Sequence, residues 1–249
     1  MDDGTLNSVD TFVNWQTNSS FSSRTIHGFL VRKLGIGIVS GVYTAGAIMP
    51  NEAELLKENG VSRTAMREAI KILTAKGLLE SRPRVGLRVR PAKDWNLLDP
   101  DVLGWYCEHG GFQAIAPKLM QMRQMFEPYA ASLAATHHTP EQLAHLASCY
   151  ERMATATNMD DWISSDLTFH EAILAATGND LLVPLGNMIR EGLRIMFTVS
   201  ANNTEDAFYS LPLHKAVLDA IAARDPALAH STMMTILERS AETIGHEIK

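Results

Sequence analysis

Cysteine is nearly missing from this 249-residue chain, which holds two, Cys107 and Cys149. Neither a disulfide framework nor a cysteine metal knuckle is available from such a pair, and the scarcity fits a reducing cytoplasm. Both are expected as buried small apolar residues. Residues 1–23, MDDGTLNSVDTFVNWQTNSSFSS, lack any sustained apolar run. Being polar and rich in Ser, Asn and Thr, they read as a mostly disordered leader, neither a signal peptide nor a membrane span. Beyond Pro91 the alternating pattern of strands is missing as well, which excludes a sheet-based second half. Positive charge is also in deficit, 22 Lys and Arg against 28 Asp and Glu, for a formal net charge of −6.

That deficit is not uniform. From Arg24 to Lys93 there are 13 Lys or Arg against 5 Asp or Glu, whereas residues 94–249 hold 9 basic against 20 acidic residues. A basic segment beside an acidic one implies a localised contact with a polyanion, whose affinity falls steeply with salt as counterions are released.

Within the basic segment, residues 52–89 read EAELLKENGVSRTAMREAIKILTAKGLLESRPRVGLRV. Leu55 and Leu56, then Ala65, Ala69, Ile70 and Leu73, recur at helical intervals and give two helices one buried face each. Gly60 is placed to end the first in a left-handed turn, and Ser62 to cap the second through its hydroxyl. The pair is a helix-turn-helix. Arg63 and Arg67 share one face of the second helix, while Ser62 and Thr64 flank its start, where amides and hydroxyls can bind phosphate. Leu78 to Ser81 and Leu87 to Val89 are predicted strands around Arg82-Pro83-Arg84-Val85-Gly86, a wing in which Arg82, Arg84 and Arg88 supply charge and Gly86 permits close approach. The plain alternative, a solvated basic face, does not account for the charge asymmetry. The expected partner is double-stranded DNA.

The run GVYTAGAIMPNEAELLKENGVSRTAMREAIKILTAKGLL resembles the winged helix-turn-helix of GntR-type bacterial transcription regulators, with G-x-Y-x-x-G, P-x-E-x-E-L, V-S-R and R-E-A elements in order. The resemblance implies that Ser62, Arg63, Thr64 and Arg67 contact DNA from the recognition helix, and Arg84 and Gly86 from the wing. Ala53 stands where some members carry an arginine between the two glutamates, a departure that bears on base preference.

The length suits two domains, each able to bury its own core. Residues 91–98, PAKDWNLL, read as a linker after a winged domain over 24–90, with an effector-binding and dimerisation domain over 99–249. Helices are predicted near 99–108, 111–137, 140–156, 159–176, 179–200, 206–223 and 226–247. They are punctuated at Gly110, Thr139-Pro140, Gly178-Asn179, residues 201–204, Pro212 and Asp225-Pro226. The fold class is mainly α: a winged helix-turn-helix followed by an all-helical antiparallel bundle.

Inside the bundle, Asp166 and His170 lie one helical turn apart, and His214 from a later helix would complete a facial site for a divalent metal. Taken alone, the pair also fits a surface ion pair or a capped core histidine. Arg123 and Arg194 each sit in an apolar run, LMQMRQMF and IREGLRIMF, and a buried guanidinium requires an anion. For Arg123 that anion is either Glu127 one turn on or the carboxylate of an effector. Asn179 reads as a helix cap.

RQMFEPYAASLAAT at 123–136, DLTFHEAILAATGN at 166–179 and HKAVLDAIAARDPALA from 214 resemble the FCD ligand-binding domain of the FadR branch of GntR regulators. The resemblance implies a metal such as zinc held beneath a carboxylate effector. Asp166, His170 and His214 match three ligands of that site, while Ile236 occupies the place of the fourth; His230, six residues earlier, is nearly two-thirds of a turn off that face. Three ligands suffice where water and effector oxygens complete the shell. Without a metal, the same side chains would hydrogen-bond effector hydroxyls. Arg123 matches the arginine that clamps the carboxylate, and Arg194 joins it on its own pattern. DWNLLDPDVLGW at 94–105 resembles the corresponding stretch of regulators of galactonate operons, which implies an aldonate effector.

The expectation is therefore a cytoplasmic homodimeric regulator, a repressor released from its operator by a sugar acid. A GntR regulator responding to another carboxylate stands beside it. So does a metal-dependent enzyme acting on a hydroxy acid through Asp166, His170 and His214.

Overall fold

The computed structural model describes residues 26–186, 190 and 204–247. The leader expected over 1–23, most of the helix expected over 179–200, and Arg194 within it lie outside the described residues.

The chain opens on α1 (Ile26–Val39), α2 (Glu52–Asn59) and α3 (Arg63–Ala75), followed by an antiparallel hairpin of β1 (Leu79–Arg82) and β2 (Gly86–Val89). Each boundary has a local cause. Asn51 and Glu54 close a reciprocal capping box at the start of α2, and Gly60, at φ 63°, ends it in the left-handed conformation. Ser62 accepts from the Ala65 amide at 3.2 Å and so starts α3. The hairpin pairs Leu79 with Val89 and Arg82 with Gly86, so its first strand begins one residue later than the pattern predicted. Leu30, Leu34, Leu55, Leu73 and Val89 fill the core, joined by Met66, a residue the periodicity did not single out. Burial of each large apolar side chain stabilises by about 1.5–3 kcal/mol.

The segment expected as a linker is anchored to the first core at Trp95. A 3-10 turn at Ala92–Asp94 delivers Trp95 into this first core, where its indole donates to the Arg90 carbonyl at 2.9 Å and its ring meets Tyr106 edge-on. Next comes α4 (Pro100–Tyr106), capped by Asp99. It serves both cores: Val102 and Trp105 belong to the first, Leu103 and Cys107 to the second. The second core thus begins inside α4, because Val102 and Trp105, three apart, share one side of the helix while Leu103 and Cys107, four apart, share another. Gly35 on α1 makes the docking possible, since a Cβ there would stand 2.2 Å from the Trp105 ring.

A wide turn at Cys107–Gly111, with Gly110 at φ 94°, separates α4 from α5 (Phe112–His137). α6 (Pro140–Ala154), α7 (Met159–Ala175), α8 (Thr204–Ala222) and α9 (Pro226–Glu247) follow, near the predicted limits. Thr139 caps α6 in a capping box with Gln142, and Asn158 caps α7. α5 lies along α9 and touches α7 and α8, while α6 packs on α7 and α8. The end of α5 is closed from outside its own sequence: Arg224, between α8 and α9, donates to the carbonyls of Thr136 and His138. Cys149 is fully buried, and no helix among the described residues is long and apolar enough to cross a membrane.

Candidate functional site

Two sets of side chains are the candidates for the functional chemistry. The first lies on α3 and the hairpin. Arg63, Thr64 and Arg67 are exposed. Arg67 is steadied by Glu52 of α2, 3.3 Å from its Nε, so one glutamate of the P-x-E-x-E element orients the arginine while the other, Glu54, builds the cap. Ala53 is exposed between them. At the hairpin tip Arg84 takes a left-handed φ of 65°, uncommon for a residue with a Cβ, and Gly86 a φ of 104°. Arg82 pairs with Glu80 at 2.8 Å. Arg88 differs from the charge supplier expected of it: its Nε donates to the Gly46 carbonyl at 2.7 Å, holding the hairpin to the preceding loop.

The second set is interior. Arg123 and Glu127 from α5, Asp166 and His170 from α7, and His214 from α8 converge, and all five are at least 95% buried. Phe169 and Trp162 stand edge-on to the imidazoles. Arg123 Nε donates to Glu127 Oε1 at 2.6 Å and Nη2 to Oε2 at 3.3 Å. Of the two anions open to Arg123 in the sequence, the internal one is in place. Glu127 therefore joins the cluster as a member in its own right, a role its i+4 spacing signals only through Arg123.

The hydrogen bonds fix the tautomers. His214 Nδ1 lies 2.9 Å from the Ser210 carbonyl oxygen, which can only accept, so Nδ1 carries the proton and Nε2 the lone pair. His170 Nε2 lies 3.4 Å from Arg123 Nη2, which can only donate, so its proton is on Nδ1, 2.8 Å from Glu127 Oε2. Two of these approaches are close without being hydrogen bonds. His170 Nδ1 beside Glu127 and His214 Nε2, 2.9 Å from Asp166 Oδ1, are out of line with their neighbours and stay unsatisfied. A buried lone pair facing a carboxylate oxygen is unfavourable unless a cation lies between them.

Charge points the same way. Burial pushes the Glu127 carboxyl up, but Arg123, through its charge and its hydrogen bonds, and the adjacent His170 outweigh it and bring it down to about 2. Asp166 is likewise raised by burial and lowered further by His170, His214 and Arg123, for a net fall. The interior thus holds two carboxylates and one guanidinium, with two imidazoles beside them. Asp166, His170 and His214 offer one ligand atom each, all within 4.8 Å of one another, a donor set suited to a divalent ion such as zinc. In each histidine the second nitrogen faces an acceptor, the arrangement that orients a metal-binding imidazole. Ile236 is buried and supplies nothing; His230 stands away from the cluster, its ring against Tyr129.

Residues 28–89 match the family model of bacterial regulatory proteins of the gntR family, and residues 118–239 that of the FCD domain. The chain is 38% identical over 211 residues to the uncharacterized HTH-type transcriptional regulator YieP of Escherichia coli K12, covering 84% of this chain and 90% of that one. It is 32% identical over 217 residues to the galactonate operon transcriptional repressor of the same strain, covering 86% and 95%. The solved structure of Lar, which controls expression of the Listeria monocytogenes agr system, aligns over 90% of this chain and 98% of its own with a TM-score of 0.65; at 17% identity the likeness is one of fold. The chain therefore belongs to the GntR family, as a DNA-binding transcriptional regulator with an FCD effector-binding domain.

Proposed function

We propose that this regulator is a cytoplasmic homodimeric repressor, released from its operator by a sugar acid, an aldonate such as galactonate, bound at the interior cluster of the FCD domain. The observation that carries the reading is the buried His214 Nε2, unsatisfied at 2.9 Å from Asp166 Oδ1, in a cluster where Asp166, His170 and His214 each offer a ligand atom within 4.8 Å of the others. An anionic effector meets two carboxylates there and finds Arg123 already paired with Glu127. A divalent cation such as zinc, held by Asp166, His170 and His214, would supply the positive charge that a carboxylate and adjacent hydroxyl can bind. Arg123 then orients the carboxylate by one guanidinium edge while Glu127 keeps the other. The likeness to a galactonate operon repressor supports the choice of an aldonate.

On the DNA side, Arg63 and Arg67 read bases in the major groove, each bidentate contact discriminating by about 1–3 kcal/mol. Ser62 and Thr64 hold phosphate at the helix start, and Arg82, Arg84 and Gly86 lay the wing along the backbone. Two copies place two recognition helices on half-sites related by two-fold symmetry. Release follows if the effector favours the arrangement with the wrong spacing between those helices, since equal affinity for both states shifts nothing.

The test is a melting-shift screen of aldonates and hexuronates against the full chain, with zinc and with chelator. A shift of several degrees for one acid, lost with chelator and accompanied by release of operator DNA, is expected. No shift with any sugar acid would remove the effector reading, and turnover of the acid by zinc-loaded protein would make the chain an enzyme.

A further inference from the structure

The outward sides of α5 and α9 form a surface without charge. Across residues 119–137 and 226–237 the only Lys, Arg, Asp or Glu residues are Arg123 and Glu127, and both are buried. On the outside of α5 stand Met125 and Tyr129, 78% and 68% exposed and one helical turn apart. Tyr129 meets His230 of α9 edge-on, with ring centroids 6.0 Å apart, so the surface runs on across the groove. There Ala227, Ser231 and Thr235 are exposed.

The rest of the bundle has a different character. α6, α7 and α8 each turn acids to solvent, among them Glu141, Asp161 and Asp219. With 20 acidic against 9 basic residues from 94 onward, two copies meeting through those faces would set like charges opposite one another, which suppresses association. Among the described faces, the α5–α9 face lets them meet without doing so. Its exposed Met and Tyr are residue types enriched in interface cores, and the absence of charge is the other compositional mark of such a core.

We infer that a second copy of this chain docks on the α5–α9 face in a two-fold arrangement, with Met125 and Tyr129 at its centre. The inference rests on the dimeric reading given above and assigns the surface responsible. α5 then has a double role: Arg123 and Glu127 face the effector cluster, and Met125 and Tyr129 face the partner. Any shift of α5 caused by the effector reaches the dimer contact through one rigid helix.

The experiment uses the full chain and measures mass by light scattering at micromolar concentration. The unaltered protein is expected at twice the chain mass. Met125→Glu combined with Tyr129→Glu is expected at the chain mass, with an unchanged circular dichroism spectrum and operator affinity reduced at least about tenfold, because the second half-site contact is no longer intramolecular. Met125→Lys alone, at an already exposed position, keeps the test open if the double variant misfolds, and should weaken the dimer about tenfold or more. Ser164→Glu, on the outer side of α7, should leave the dimer intact. A dimer unaffected by the double variant overturns the assignment of this face while sparing dimerisation. An unaltered protein that is monomeric removes the dimeric reading itself, and capture of a different protein by this face in a monomeric chain overturns the second copy as its occupant.

Discussion

Replacing Glu127 by Gln keeps the shape of the interior cluster and removes one of its charges. In the unaltered protein this carboxylate accepts two hydrogen bonds from Arg123. Although burial raises its pKa, Arg123 and His170 bring it from an ordinary 4.5 down to about 2. A shift of that size corresponds to about 3 kcal/mol of folding stability, close to the roughly 3–5 kcal/mol lost when one partner of a buried ion pair is removed. For a domain of this size the variant should melt about 6–12 °C lower at neutral pH. The sign with pH follows from the lowered pKa. The contribution is complete above about pH 4.5 and is lost as pH falls toward 2, with about half remaining at pH 3. The gap between the two proteins should therefore close in acid. Urea and thermal unfolding, followed by far-UV circular dichroism with chelator present, measure it. Arg123→Met combined with Glu127→Met should recover part of the loss, because the pair is removed together and only Asp166 then lacks its guanidinium. Equal melting of Glu127→Gln and the unaltered protein at neutral pH, or a gap that widens in acid, would refute the placement of this pair in a desolvated cluster.

Gly35→Ala would put a Cβ 2.2 Å from the Trp105 ring; overpacking of this kind costs about 1–3 kcal/mol, and an unchanged melting temperature would show that the α1–α4 contact is looser than described. Arg63→Ala with Arg67→Ala should abolish specific operator footprints while the fold persists, and the residual non-specific binding should depend less steeply on salt; footprints that survive would place base recognition elsewhere. His214→Ala should abolish any rise in melting temperature produced by zinc, and an equal rise in both proteins would move the metal away from Asp166 and His170.

Much of this architecture is legible in the residues because helix ends are local events. Ser62, Gly60, Thr139-Pro140 and Asp225-Pro226 act through their own backbone neighbours, so the limits of α3, α6 and α9 follow from short stretches of chain. The gathering of Asp166, His170 and His214 was legible for another reason: one turn of α7 aligns the first two, and the FCD resemblance supplies the third. What the pattern hides is partnership across the fold. Periodicity marks Val102, Leu103 and Trp105 as apolar but cannot divide them between two cores. Arg88 and Arg82 look alike as wing charges, yet only the fold sets the Gly46 carbonyl against Arg88. The predicted helix over 111–137 is found although α5 carries Pro117 and Pro128 in its interior, where propensity alone expects a break. Tertiary packing along α7 and α9 outweighs the lost backbone hydrogen bonds.

The hidden part is also the part that connects the two functions. Lys76, at the end of the recognition helix, is buried, with its ammonium 2.8 Å from carboxylate oxygens of Asp99 and Asp101 at the start of α4. Trp105 seats the other end of α4 on α1, and Arg32 of α1 pairs with Glu108 just beyond it at 3.0 Å. From there the chain passes through a single wide turn into α5, the helix that carries Arg123 and Glu127. A displacement of α5 therefore meets a short helix clamped to the DNA-binding domain at both ends. Surface ion pairs alone would yield to such a displacement at little cost. The buried Lys76 triad would not, because separating it strands charges away from water. If the interior cluster binds the effector as proposed, α4 can carry its displacement to α3 as a rigid body, while within residues 91–98 Trp95 is anchored in the first core.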